Sequence, residues 1–247
     1  MKTILLAGAA MAAVFAATGA SAEGVGWYVA GDLGYHQTND FNLTGPGFSS
    51  KATLNGNYDL FGRLGYQFTP HVRAEFEYGY RPTDVHSFAP PGLVLQPSHA
   101  NANSYMGNII FDFMPDATLN PFLGIGGGGV QPNTNIQGLV GAQRYSATDT
   151  KLYGAYQGIV GVAWAVAPRL NVDFTYRYTA TSENQSLAIN QNSAPIGSLK
   201  SKWADNSFSV GLRYSFAAPP APPPPPPPPP PRSRRPPPPP PPPQTQS

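Results

Sequence analysis

The feature that most constrains this chain is a strict two-residue alternation between Asn206 and Phe216. Phe208, Val210, Leu212, Tyr214 and Phe216 are large and apolar, whereas Ser207, Ser209, Gly211, Arg213 and Ser215 between them are small or polar. A period of two is that of an extended strand, whose side chains point to opposite faces in turn. The segment is therefore expected to be a strand with one greasy face. Seven further segments read as strands: Gly26 to His36, Gly56 to Phe68, Val72 to Arg81, Ala102 to Phe113, Pro121 to Val130, Leu152 to Trp164 and Leu170 to Thr179. Most show the alternation clearly, and glycines blur it in the fifth of the eight. Each has about the 9 to 11 residues that cross a bilayer when tilted.

The connections alternate in length. Long ones fall at about 37 to 55, 82 to 101, 131 to 151 and 180 to 205, and short ones at Thr69 to His71, Met114 to Asn120 and Ala165 to Arg169. Bacterial outer-membrane barrels pair long extracellular loops with short periplasmic turns. The expected fold is all-β, an eight-stranded antiparallel transmembrane up-and-down β-barrel with a disordered proline-rich C-terminal tail. An even strand count puts both ends on the periplasmic side. The long connections are rich in Asn, Ser, Thr, Gly and Pro, which suits mobile, solvated loops.

Composition fits an exported protein. Residues 1–22 contain Lys2, an apolar run from Ile4 to Ala17 and a closing Ala20-Ser21-Ala22, the pattern of a cleaved signal peptide. This gives three expected regions: 1–22 as signal peptide, 23–216 as barrel and 217–247 as tail. No stretch offers the roughly 18 uncharged apolar residues of a membrane helix. With no cysteine, neither a disulfide framework nor a cysteine metal site is available. Setting aside Lys2, Arg232, Arg234 and Arg235 reduces the 15 basic residues to 11 against 13 acidic ones, so nothing suggests nucleic acid. No cofactor is expected.

An internal repeat aligns Pro70 to Tyr80 with Pro168 to Tyr178 without gaps. Each copy starts at a turn proline, sets an acid (Glu75, Asp173) beside Phe and ends in Tyr-x-Tyr, whose rings suit an interfacial girdle. Together with Leu60 to Pro70, Gly158 to Trp164 and the Gly211-x-x-Tyr214-x-Phe216 ending, the chain resembles the OmpA-type eight-stranded outer-membrane barrel superfamily over about residues 23 to 216. The resemblance implies that the barrel-assembly machinery recognises the last strand, with Gly211, Tyr214 and Phe216 as the signal. Val210 departs from the polar residue that usually opens that signature. The other expected partner is outer-membrane lipid.

Alternation places Asp32, Asp59, Arg63, Arg73, Glu75, Glu77, Arg81, Asp112, Asp173, Arg177 and Arg213 on the inward face, six carboxylates with five arginines. Eight strands enclose an interior that side chains fill. A paired plug is therefore expected, and a narrow or gated ion path is the alternative. Catalysis has little support. A serine nucleophile needs an oriented histidine, and the four histidines are scattered: His36 at a loop edge, His71 in a turn, His86 and His99 in the second long loop. The run Gly124-Ile125-Gly126-Gly127-Gly128-Gly129 lacks the Lys-Ser/Thr of a phosphate loop, and reads as room for bulky, aromatic neighbours in a narrow barrel.

The tail holds 20 of the chain's 31 prolines, in two runs split by Arg232-Ser233-Arg234-Arg235. It is expected to form a polyproline II spacer. In many OmpA-type proteins such a hinge leads to a peptidoglycan-binding domain. The Asp and Arg of that domain have no counterpart here, so only weak contact between the tail and peptidoglycan stays open. The reading is an outer-membrane barrel that serves envelope integrity, with a small porin-like channel or a surface adhesin or receptor as alternatives.

Overall fold

The computed structural model describes residues 24–39, 41–45, 48–87, 94–95 and 99–217, so the expected leader and the proline runs lie outside the described residues. In chain order the strands are β1 (Gly26–Thr38), β2 (Phe41–Gly45), β3 (Phe48–Asn55), β4 (Asn57–Thr69), β5 (Val72–Ser87), β6 (Val94–Leu95), β7 (His99–Asp112), β8 (Leu119–Val140), β9 (Gln143–Asp149), β10 (Tyr153–Ala167), β11 (Leu170–Thr181), β12 (Gln185–Gln191), β13 (Ala194–Ser201) and β14 (Ala204–Ser215). Eight of them close into a ring, β1-β4-β5-β7-β8-β10-β11-β14 and back to β1, with every pair antiparallel. Closure satisfies the backbone internally and leaves no open edge, the condition for strands to cross a bilayer.

Alternation sets the two faces. Along β14, Asp205, Ser207, Ser209, Arg213 and Ser215 are buried while Phe208, Val210, Leu212 and Tyr214 are exposed. The exposed side chains form an outward apolar belt that includes Val29, Leu33, Leu60, Leu64, Phe76, Ile109, Leu123, Ile125, Val160 and Phe174. Aromatic rings border it on both sides. At the short-turn end Trp27 meets Tyr66 edge-on at 5.2 Å, and Phe111 meets Phe113 in the same way at 5.2 Å. At the other end Tyr78 lies 5.5 Å from Tyr105 and Tyr176 lies 4.7 Å from Phe208. From Trp27 to Tyr35 is about 26 Å along the strand, or about 20 Å of height at a tilt of about 40°, and the side chains that border the belt extend it toward the roughly 25 Å apolar band of an outer membrane.

The internal repeat has a structural counterpart. The ladders slip by one residue just before each turn proline, between Gln67 and Thr69 and between Ala165 and Ala167. Such bulges raise the local twist where a strand must turn back. In the first turn the Thr69 hydroxyl accepts from the backbone N–H of His71 and Val72.

In their described residues the four long connections, expected as solvated loops, are largely strand. β5, β7 and β8 continue past the aromatic border to lengths of 16, 14 and 22 residues. β3 pairs with β5, β2 with β3, β13 with β2 through Lys200 and Thr44, β12 with β13, and β9 with both β12 and β8. With the β5–β7 and β7–β8 pairs this is a second closed circuit, so the cylinder continues beyond the apolar belt. The ladders already formed below supply its register. In the β12–β13 turn Asn192 and Ser193 take φ of 48° and 69°, the two positive values a type I′ hairpin requires.

Inside, the two halves of the wall differ. Strands β14, β1, β4, β5 and β11 carry most of the charge. The inward faces of β7, β8 and β10 are richer in apolar groups and glycine, with Ile110, Phe122, Ile159 and Ala163 in one buried cluster and Ala102, Met106, Val130 and Ala155 in another, where Trp203 joins them. The glycine run makes room for neighbours on β7 and β10, but they are not the expected aromatics. A Cβ at Gly124 would press on Ile110, at Gly126 on Asn108 and Gln157, and at Gly128 on the β7 backbone and Met106. Aromatic neighbours occur at other inward glycines: Tyr28 at Gly65, Phe61 at Gly79 and Phe122 at Gly161.

Candidate functional site: the charged lumen

The lumen encloses Asp32, Asp59, Arg63, Arg73, Glu75, Glu77, Arg81, Asp112, Asp173, Arg177 and Arg213, and all eleven are buried. Arg63 on β4 is the hub. Its Nε and Nη2 donate to the two oxygens of Asp32 at 2.8 Å each, Nη1 donates to Glu75 at 3.0 Å and Nη2 also to Asp173 at 3.0 Å. The two-pronged contact with Asp32 matches the planar fork of a guanidinium. Glu75 and Asp173 are the equivalent acids of the two repeats, so the repeat delivers two carboxylates to one arginine.

The network runs toward both ends. Arg73 reaches Glu75 at 2.9 Å and Asp112 at 3.0 Å near the short turns, and Arg213 holds Asp173 at 3.1 Å. Arg177 bridges Asp32 at 3.0 Å and Glu77 at 2.9 Å and donates to Ser209 at 2.6 Å. Gln157 on β10 donates to Glu77 and to Asn108 on β7, which ties the charged half of the wall to the other half.

Aromatic faces fill the space between guanidiniums. The Phe61 ring centroid lies 4.2 Å from Arg177 Cζ and 4.9 Å from Arg81 Cζ, and Phe122 lies 4.9 Å from Arg73 Cζ. Tyr28 donates to Glu75 at 2.8 Å, with Arg73 and Arg213 at 5.8 and 5.5 Å from its ring. Each desolvated contact of this kind contributes about 1 to 2 kcal/mol. These rings follow from the same alternation, because Tyr28 and Phe61 share parity with Asp32 and Arg63.

Two charged or titratable members are new. Asp205, fully buried on β14, pairs with Arg81 at 3.2 Å and accepts from Thr38 at 2.8 Å. It lies one residue before Asn206, where the last strand was expected to begin, and parity would have found it in a longer strand. His36 is not at a loop edge: it is buried, with Nδ1 2.8 Å from Asp205 and Nε2 2.7 Å from the Pro82 carbonyl. Both ring nitrogens face acceptors, so neither is placed to take a proton from a nucleophile. Nearby Ser207 donates to Asp59 at 2.5 Å, and these groups form no Ser–His relay. His71 caps a turn, with Nδ1 2.8 Å from the Asp112 carbonyl. His86 and His99 fall in β5 and β7 rather than in a loop. Among the described residues no cluster of three His, Asp or Glu side chains is placed to hold a metal ion.

Of the expected assembly-signal residues, Gly211 and Tyr214 lie on β14 and Phe216 directly follows it. Gly211 faces inward and pairs with Asp32 on one side and Asp173 on the other. A Cβ there would run into the Asp32 carboxylate, so the network itself requires glycine. Tyr214 and Phe216 face outward with rings 5.4 Å apart, and Phe216 N–H donates to the Trp27 carbonyl at 2.9 Å.

A closed eight-strand ring with an outward apolar belt, aromatic borders and a polar lumen is the architecture of a bacterial outer-membrane barrel. A family model described as outer membrane protein beta-barrel domain matches residues 4–216. The chain belongs to that family. As an outer-membrane barrel it is similar in fold to OprG of Pseudomonas aeruginosa, with a TM-score of 0.57 at 14% identity, over 80% of this chain and 99% of that one. It is also similar to AlkL as determined in lipid bilayers, with a TM-score of 0.52 at 15% identity, over 82% of this chain and 95% of that one. At these identities the likeness is one of fold. A search of curated proteins returns no match.

Proposed function

We propose that this barrel is a non-enzymatic envelope protein whose lumen is plugged, so that its outer wall is the working part. The observation that carries this reading is a buried polar network from Asp112 to Asp205: ion pairs run from Asp112 to Glu77, Gln157 and Thr179 carry it on to the Arg81–Asp205 pair, and Phe61, Phe122 and Trp203 pack against the guanidiniums. An ion crossing the lumen would have to part buried guanidinium–carboxylate pairs, and leaving one member of such a pair without its partner costs about 3 to 5 kcal/mol.

In this reading the long connections face outward from the cell, the short turns and tail face the periplasm, and Phe216 presents the assembly signal. The family's usual pairing of long outer loops with short inner turns supports that orientation. A strain lacking the protein should become sensitive to detergent and leak periplasmic enzymes, and the wild-type gene should restore it. An intact envelope together with lost uptake of a small solute would contradict the reading and favour a channel.

A further inference from the structure

We propose that the outer wall of the β7–β8 ladder, above the Tyr78–Tyr105 pair, binds the sugar headgroup of the outer-leaflet glycolipid. The inference rests on the orientation proposed above. Beyond Tyr105 the outward positions of β7 are Asn103 and Asn101, and those of β8 beyond Gly129 are Gln131, Asn133 and Asn135. The register sets Asn103 opposite Gln131 and Asn101 opposite Asn133, and on the other side of β8 Asn135 opposite Thr148 of β9. These six positions form a neutral amide and hydroxyl surface across three strands.

Local preference does not account for it. Asparagine is depleted in strands, and an exposed amide ladder is a template for unwanted pairing with other chains. Both costs are tolerable where the ladder is covered. The amides are also pre-oriented: Asn133 Nδ2 donates to Asn101 Oδ1 at 3.1 Å, and Gln131 Nε2 to the Thr150 carbonyl at 3.1 Å. The lowest rung is joined to the aromatic border, since Tyr78 Oη donates to Asn103 Oδ1 at 2.9 Å.

Height and charge then select the occupant. Tyrosines mark the level where hydrocarbon gives way to headgroups, so the next rungs outward stand at the level of the headgroup itself. Each amide offers both donors and an acceptor, the complement of vicinal sugar hydroxyls. None of the six carries a charge, so the surface fits the saccharide and not a lipid phosphate. Tyr80 and Pro82 of β5 pair with Asn103 and Asn101 and extend the surface with ring faces against which sugar C–H groups pack.

The test is titration of soluble core oligosaccharide, released from the glycolipid, into the full chain in phospholipid nanodiscs. The Asn101→Val/Asn133→Val variant and Asn135→Leu provide two independent disruptions, and valine is favoured in strands. Either variant should bind at least tenfold more weakly, while heat-modifiable gel migration in phospholipid alone stays as in the native chain. Equal affinity in the native chain and the variants would overturn the proposal. So would equal binding of a sugar-stripped lipid anchor and the intact glycolipid when each is added to the native nanodiscs. Both faces are accessible in a nanodisc, so this result is independent of orientation, which protease digestion of intact cells reads separately.

Discussion

Arg63 shows most directly how single residues bear on this barrel. Its guanidinium serves Asp32, Glu75 and Asp173 together, so Arg63→Ala would leave three buried carboxylates short of a cation. The expected loss is about 3 to 5 kcal/mol, read as a lower urea midpoint for the heat-modifiable form in vesicles. Arg63→Met should fold no better, because it fills the space and still strands the acids. An unchanged midpoint for Arg63→Ala would mean that the pairs are dispensable. Gly211→Val is expected to be as damaging from the other side of the pair, by driving a side chain into Asp32. Parity placed residues well where strand limits were read correctly, because one outward aromatic assigns a face to every second position. Asp205 lies one residue before the expected start of the last strand, and His36, at the expected end of the first, has the inward parity of Asp32 but reads as a loop edge unless the strand continues to Thr38, as it does.

The last strand and the long connections show the same contrast for whole elements. Phe216 is 55% exposed in the folded chain, so truncating it removes little buried surface. If it is an assembly signal, Phe216→Ala should nonetheless reduce the amount of protein assembled in the membrane, measured by heat-modifiable migration of membrane fractions. Deleting Pro219 to Ser247 should leave that amount unchanged. Normal assembly of Phe216→Ala would leave the residue as one more girdle aromatic. The eight membrane-crossing strands were legible because lipid outside and a polar lumen inside impose strict alternation. The extensions were not: Asn101, Asn103, Gln131, Asn133 and Asn135 alternate with Ala102, Pro132 and Thr134, and with both neighbours hydrophilic or small no hydropathy contrast marks a strand. Their order comes from ladders begun at greater depth, which is a tertiary effect.

For the whole molecule, the ring topology followed from strand count and connection lengths, whereas the filling of the lumen did not. Eleven charged residues could be assigned to the interior from sequence, yet their pairing depends on which strands face each other across it. Arg63 on β4 meets Asp173 on β11, and Arg177 on β11 meets Glu77 on β5. Such contacts link positions 110 and 100 residues apart and leave no local trace in the sequence. The plug is therefore the central claim, and single-channel recording in planar bilayers tests it most directly. The native barrel should give no steady current, and Arg63→Ala should first lower the unfolding midpoint without opening a stable path. Large, long-lived unitary currents from the native protein would contradict the account and make the same network the lining of a pore.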